Sequence, residues 1–263
     1  MLLKKWEIAN IIVILPKIIV NISIMVIKIL YKIYSFCIAL PIFVVVTIIT
    51  AIVISLAALL GDKDHTDYFM SKWWSRLTCR IFLLGIRVTG REKLLKSQSY
   101  IFLANHQGYF DIFLIYGYMG HNFKWMMKEY LRKIPFVGAA CAISGQIFVD
   151  DSRSGIQKAV DQSRKTLQGG MSMVIFPEGT RTYNGQMGEF KRGAFMLSNE
   201  IGLPIVPMTI NGSFQVFSRK ARSVSQGTLS LDIHTPIFPD YYKSKPTKVF
   251  MNEVRDIINK NVR

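Results

Sequence analysis

From Ile33 to Gly61 the chain runs 29 residues without a charged side chain, and nothing else in the sequence limits the fold so strongly. Taken as a helix, Leu40 to Leu60 would reach roughly 31 Å at about 1.5 Å per residue, enough to cross the hydrocarbon of a bilayer. Pro41 sits where such a helix can begin, because the N–H it lacks has no partner in a first turn. A cleavable signal peptide does not fit, since the apolar run is too long, starts too late and lacks a small-residue cleavage site. Core helices of soluble proteins are seldom this long without a polar side.

Residues 6–32 read differently. At about 100° per residue, Glu7, Asn10, Lys17, Asn21, Lys28 and Lys32 fall within an arc of roughly 80°, and apolar residues fill the rest. This predicts a helix with one narrow polar stripe, lying at the membrane interface or pairing with the second helix, and kinked at Pro16. Lys28 and Lys32 precede the apolar run, while Lys63, Lys72, Arg76 and Arg80 follow it, so the positive-inside rule gives no single-span orientation. A two-helix hairpin returning to the cytoplasmic side removes the conflict. Residues 1–61 are therefore expected to be membrane-associated helices, and residues 62–263 a separate domain on the cytoplasmic face.

Beyond Gly61 the pattern becomes that of an α/β domain, with short β-branched or aromatic runs alternating with helix-length stretches. Strands are expected near Ile86–Thr89, Tyr100–Ala104, Phe123–Met127, Gln146–Val149, Met171–Phe176, Pro204–Ile210 and Thr228–His234. Helices are expected near Lys72–Leu84, Phe110–Met119, Ser154–Gln168, Gly188–Ile201 and Thr247–Asn261. The expected fold class is thus α/β, a mixed central sheet of about seven strands flanked by helices and preceded by an N-terminal two-helix membrane hairpin.

Charge narrows the partners. Lys and Arg number 33 against 17 Asp and Glu, a formal net charge of +16, and 28 of the basic residues lie from Asp62 onward. Such a surplus attracts phosphate-rich partners, and the adjacent apolar run points to a lipid bilayer, not nucleic acid. Cys37, Cys79 and Cys141 are scattered and fit neither a disulfide framework nor a metal site. There is no G-x-S-x-G elbow, no Gly-Lys pair for a P-loop and no H-E-x-x-H. His65, His121 and His234 have no obvious partner.

His106 is different. In Phe102-Leu-Ala-Asn-His-Gln-Gly-Tyr-Phe-Asp111 it stands just beyond a strand, five residues before a carboxylate at the start of an apolar helix. The offset of about 140° prevents a meeting on one helix face. With His106 in the loop and Asp111 in the first turn, the chain can fold back so that the carboxylate receives the imidazole Nδ1–H. Nε2 is then left to take a proton from a hydroxyl. The pair is a triad without its own serine, so the substrate supplies the nucleophile. The competing reading is that Asp111 caps the helix and His106 bonds within the loop.

Further on, Met173-Val-Ile-Phe-Pro-Glu-Gly-Thr-Arg181 places a carboxylate, a flexible residue, a hydroxyl and a guanidinium directly after a strand, where ligands gather in α/β domains. Arg181 offers a planar fork suited to phosphate. Glu178 can hold a substrate hydroxyl or structure the loop. Phe190-Lys-Arg-Gly-Ala194 opens a helix whose N-terminal amides also favour an anion.

These motifs in this order resemble the glycerolipid acyltransferases, most closely the 1-acyl-sn-glycerol-3-phosphate (lysophosphatidic acid) acyltransferases. His106 and Asp111 match the family's H-x4-D motif, and Phe176-Pro-Glu-Gly-Thr-Arg181 its acceptor-binding motif. Gly145-Gln-Ile-Phe-Val-Asp-Asp-Ser-Arg153 resembles the intervening block, Val206-Pro-Met-Thr-Ile210 the last one, and Met127 to Gly138 the segment after the first motif. The resemblance spans roughly Arg76 to Ile210. One departure stands in the middle block, where the family usually has an arginine after the strand's aspartate or in its place; here Asp151 occupies that position and the nearest arginine is Arg153. Either Arg153 reaches the same phosphate by a shifted turn, or Arg181 and Lys191 bind it without help; the competing structural reading is that Asp150, Asp151 and Ser152 form the N-cap of the next helix.

The resemblance implies that residues 62–263 form the catalytic domain of a membrane-bound acyltransferase. An acyl thioester, acyl-coenzyme A or acyl-carrier protein, would donate to the free hydroxyl of a lysophosphatidic acid, giving phosphatidic acid, with no metal and no bound cofactor. His106 and Asp111 are the implied catalytic pair. Glu178, Gly179, Thr180 and Arg181, with Lys191, Lys128 and Arg153, are the implied acceptor-binding residues, and amides near Gly179 are candidates for an oxyanion hole. Acceptors such as glycerol 3-phosphate, another lysophospholipid or a lyso-aminolipid are compatible with the same motif. A thioesterase and a non-catalytic lipid-binding tether are the remaining alternatives.

Overall fold

The structure, a computed structural model, describes residues 2–61, 63–150 and 152–263; the side chains of residues 2–16, 18, 63 and 153 lie outside that description. Its first feature corrects the expected hairpin. Helix α1 (Leu2–Tyr34), a π-helical turn (Ser35–Ala39) and helix α2 (Leu40–Leu59) follow one another without a break. The reason is local: Pro41 cannot donate to a carbonyl four residues back, and its ring crowds the preceding turn. The π-turn absorbs the misfit, and the Leu40 N–H reaches the Ser35 carbonyl five residues back. Helical backbone also continues through Pro16. The stretch Ile19–Leu59, 41 residues, is long and apolar enough to cross a membrane.

The helix that returns along α2 is α3 (Lys63–Ile81), reached through Gly61 at φ 94°. Trp74 Nε1 donates to Thr47 Oγ1 at 2.9 Å, and the Phe43 and Trp74 rings stack at 6.3 Å. Ala51 and Ile54 pack with Ala140 and Met70. Tyr31 and Tyr34 donate their hydroxyls to the carbonyls of Phe82 and Ile81, at 2.7 and 2.8 Å. They thereby satisfy groups at the end of α3 that have no partner within a helix. Residues from Leu40 on, long enough by expectation to cross the bilayer, thus keep one face on the domain. By contrast Ile19, Ile22, Met25, Ile27 and Leu30 of α1 are exposed. Asn21, Lys28 and Lys32 line one side of α1, as the stripe predicts, whereas Glu7 and Asn10 lie outside the described side chains.

Seven strands form one mixed sheet: β1 (Gly85–Thr89), β2 (Ile101–Ala104), β3 (Phe123–Lys128), β4 (Ile147–Val149), β5 (Ser172–Ile175), β6 (Ile205–Asn211) and β7 (Thr228–Ile233). Their order is β1-β7-β6-β2-β5-β3-β4, and every pairing is parallel except β6 with β7. The remaining helices are α4 (Asp111–Tyr118), α5 (Val137–Ile143), α6 (Arg153–Thr166), α7 (Arg192–Ile201), α8 (Ser213–Phe217), α9 (Pro239–Lys243) and α10 (Thr247–Asn259). All seven strands lie within two residues of expectation. Helices α5, α8 and α9 were not expected.

Alternation along β2 sends its side chains to two cores. Phe102 and Ala104 join Phe113 and Leu114 of α4, while Ile101 and Leu103 join residues of α6, α7 and α10. Each fully buried aliphatic or aromatic side chain contributes about 1.5–3 kcal/mol. Among these apolar strands Lys124 of β3 is only 1% exposed, and its Nζ donates to Asp67 Oδ2 at 2.9 Å, Asp64 Oδ1 at 3.0 Å and the Ser144 carbonyl at 2.7 Å. The ion pair ties α3 to the sheet.

The topology also locates a cleft. From β2 the chain crosses over β5 to reach β3, and from β5 it crosses over β2 to reach β6. The helices they lead into, α4 and α7, pack on opposite faces of the sheet, and such a switch leaves a crevice at the strands' carboxyl ends.

Candidate active site

His106 follows β2 and Phe176 follows β5, and because these strands are neighbours with Leu103 beside Ile175, two motifs 72 residues apart meet. His106 Nδ1 lies 2.7 Å from Asp111 Oδ2. A carboxylate can only accept, so Nδ1 carries the hydrogen, and in the neutral imidazole Nε2 presents its lone pair. The same Oδ2 accepts the N–H groups of Gln107 at 2.7 Å and Gly108 at 3.0 Å, which folds the loop back as expected and fixes the carboxylate. The Asp111 side chain is fully buried; His106 keeps 15% of its own exposed, so the imidazole is not sealed from solvent.

The imidazole is also held from the side. Its ring lies 3.9 Å from that of Phe176 with an interplanar angle of 7°, and Phe176 stacks in turn on Trp125 at 5.3 Å. The loop has little room for change. A Cβ at Gly108 would come within 2.5 Å of Ser213 O and Oγ at the start of α8.

Glu178 takes the loop role among its two expected ones. Oε1 accepts the His106 N–H at 2.7 Å and Oε2 the Gly188 N–H at 2.7 Å, and the residue is 6% exposed. Both oxygens accept a backbone N–H, so Glu178 ties the two loops together. Burial raises its pKa, opposed by the two backbone donors and the nearby His106. The His106 carbonyl accepts the Thr182 N–H at 2.9 Å, so the second loop grips the histidine backbone from both sides.

The Gly179 N–H donates to the Phe176 carbonyl at 2.9 Å. Gly179 adopts φ 69°, and the space a Cβ would take is occupied by the Lys191 side chain, Cε at 3.0 Å. Lys191 is thereby laid on the loop. The Arg181 guanidinium sits 3.6 Å over the ring of Tyr109, three residues after His106. Lys128 ends β3, the strand next to β5, and its charge lowers the Asp150 pKa, behind the hydrogen bonds from Ser152. The middle block caps a helix: Ser152 Oγ accepts the Gly155 N–H at 3.0 Å, and Asp150 accepts from Ser152. Asp151 and the Arg153 side chain lie outside the described residues.

Sequence reasoning gave Phe176, Tyr109 and α8 no role, because stacking partners carry no charge pattern. It also passed over Arg219, whose Nη1 donates to Thr180 Oγ1 at 3.2 Å. Two of the other histidines are structural in setting: His234 Nε2 lies 2.8 Å from Thr209 Oγ1, and His121 is buried against Tyr100 and Phe102.

Residues 85–211, which contain both loops, match the acyltransferase family. The 1-acyl-sn-glycerol-3-phosphate acyltransferase of Saccharomyces cerevisiae is 30% identical over 207 residues, covering 76% of this chain and 67% of the yeast protein. The chain belongs to the 1-acyl-sn-glycerol-3-phosphate acyltransferase family. Within that family, 1-acyl-sn-glycerol-3-phosphate acyltransferase LPAT1, chloroplastic, of Arabidopsis thaliana is 30% identical over 195 residues, 73% of this chain and 52% of that one. The chain thus spans from about half to two thirds of these curated relatives. The fold matches the crystal structure of the 1-acyl-sn-glycerophosphate (LPA) acyltransferase PlsC from Thermotoga maritima, with a TM-score of 0.74 at 23% identity, over 90% of this chain and 95% of that one.

Proposed function

We propose that this protein transfers a fatty acyl group from an acyl thioester to the free hydroxyl of a lysophosphatidic acid, forming phosphatidic acid. The observation that carries this reading is the Nδ1 to Asp111 contact, which leaves Nε2 as a base, beside an arginine stacked on the same loop. His106 Nε2 takes the proton of the acceptor hydroxyl as its oxygen attacks the thioester carbonyl. The new C–O bond forms, the C–S bond breaks, and the proton passes from the imidazolium to the departing thiolate. Asp111 orients the ring and stabilises its cation. No covalent enzyme intermediate and no cofactor is needed, since the acceptor is the nucleophile.

Arg181 and Lys191 hold the acceptor's phosphate, with Lys128 and Arg153 as further basic residues of that rim. Thr180 and Gly179 shape the loop that carries them. The donor is acyl-coenzyme A or acyl-carrier protein. Residues 1–61 hold the enzyme in the bilayer where both lipids reside, and residues 62–263 carry out catalysis on the cytoplasmic face. Support for that side is the basic surplus from Asp62 onward, 28 Lys and Arg against 16 Asp and Glu, which suits the anionic cytoplasmic leaflet.

The test supplies purified protein with a labelled acyl thioester and a panel of acceptors, including lysophosphatidic acid, glycerol 3-phosphate and other lysophospholipids. Labelled phosphatidic acid is the expected product. Thioester loss that is indifferent to any acceptor would overturn the reading in favour of hydrolysis.

A further inference from the structure

A second guanidinium reaches the loop that carries Arg181. Arg219 lies between α8 and β7; besides its hydrogen bond to Thr180 Oγ1, its Cζ stands 4.2 Å over the ring of Tyr183. Arg181 repeats the arrangement on Tyr109, whose ring packs at 4.9 Å on Phe217. The Tyr109 N–H donates to the Phe217 carbonyl at 3.2 Å, and Arg219 follows two residues later. Three segments are thus fastened together, and they bring one arginine to Thr180 by sequence and the other by contact.

A guanidinium laid on an aromatic face keeps its N–H edge open for an oxyanion in its own plane. Among the described residues neither Arg181 nor Arg219 forms an ion pair with a carboxylate. Arg181 adjoins Thr180 in sequence and Arg219 touches it, so the two like charges repel, and an anion bound by both removes that cost. A phosphate monoester carries about −1.5 to −2 charges near neutral pH and three terminal oxygens. A phosphodiester carries one charge and offers two terminal oxygens.

We propose that Arg219 is a second phosphate-binding residue, which with Arg181 grips the terminal phosphate monoester of the acceptor and selects it over lysophospholipids whose phosphate is capped as a diester. The inference rests on the acceptor reading above and adds a residue and a specificity to it.

The test uses the full chain in nanodiscs without thioester. A short-chain lysophosphatidic acid and its methyl phosphodiester are titrated by calorimetry into wild type, Arg219→Ala, Arg219→Lys and Arg181→Ala. Wild type is expected to bind the monoester about tenfold or more tightly than the diester. Arg219→Ala should weaken monoester binding about tenfold and leave the diester nearly unchanged, and Arg219→Lys should recover only part of the loss. Equal monoester binding by wild type and Arg219→Ala overturns the proposal, and so does an equal loss for both ligands. Should Arg219→Ala fail to fold, Arg219→Lys binding the monoester like wild type overturns it as well. In parallel kinetics, a rise in thioester KM alone would place Arg219 at the donor and overturn it too. If wild type binds neither ligand and Arg181→Ala changes nothing, the acceptor reading itself has failed, an outcome separate from any effect of Arg219.

Discussion

The ring of Phe176 lies flat against the imidazole of His106, 3.9 Å away and 7° from parallel. The residue that opens the second loop is therefore a wall for the base in the first. Replacing Phe176 with Leu removes an aromatic contact worth about 0.5–1.5 kcal/mol and frees the imidazole to tilt. kcat should fall about 2- to 10-fold with acceptor KM little changed, whereas Phe176→Tyr should keep most activity. Steady-state kinetics on the two variants checks this.

Glu178→Gln tests the clamp between the loops. Glutamine can accept only one of the two backbone N–H groups and turns an NH2 toward the other, leaving a buried donor unsatisfied at about 1–3 kcal/mol. Activity and melting temperature should fall together. The pH dependence has a definite sign. Burial raises the Glu178 pKa above its ordinary value of 4.5, so the folded state holds that proton more tightly than the unfolded chain. Its contribution to stability therefore declines as pH rises from the unfolded pKa through the raised folded one, and is flat above. Melting curves across the acid range should show that component in wild type and lack it in Glu178→Gln.

Lys124→Met addresses the buried ion pair. Without the ammonium, Asp67 is left buried and uncompensated, at a cost of about 3–5 kcal/mol. Adding Asp67→Asn removes the stranded charge and should restore part of the lost melting temperature. A double variant no more stable than Lys124→Met would contradict the assignment.

Arg181→Ala should raise acceptor KM about 10- to 100-fold, the loss expected of charge-assisted hydrogen bonds, with a much smaller effect on thioester KM. Kinetics with each substrate varied in turn separates the two. An equal rise in both would remove Arg181 from the acceptor's phosphate.

The strands were legible because a parallel sheet covered on both faces demands continuous apolar runs, as in Ile101 to Ala104 and Met173 to Ile175. The fold-back of His106 onto Asp111 was legible because a five-residue spacing excludes a helix face. Helix α5 was not, since Val137-Gly-Ala-Ala-Cys-Ala-Ile143 is small and apolar throughout and shows no polar side. Helix α8 is five residues long, too short for a period, yet it walls the loop at Gly108. The hairpin expectation treated Pro41 as a helix start; a π-turn carried the helix past it, and backbone adjustments of that kind leave no mark in composition. Glu178 was read as a carboxylate for substrate or loop, and its tie between the loops shows only in its two backbone donors.

The central claim is that His106 activates the acceptor's hydroxyl. His106→Ala in nanodiscs, given labelled acyl thioester and lysophosphatidic acid, should form phosphatidic acid at least about 100-fold more slowly than wild type while its melting curve is retained. Product formation at the wild-type rate by a folded His106→Ala protein would contradict the account.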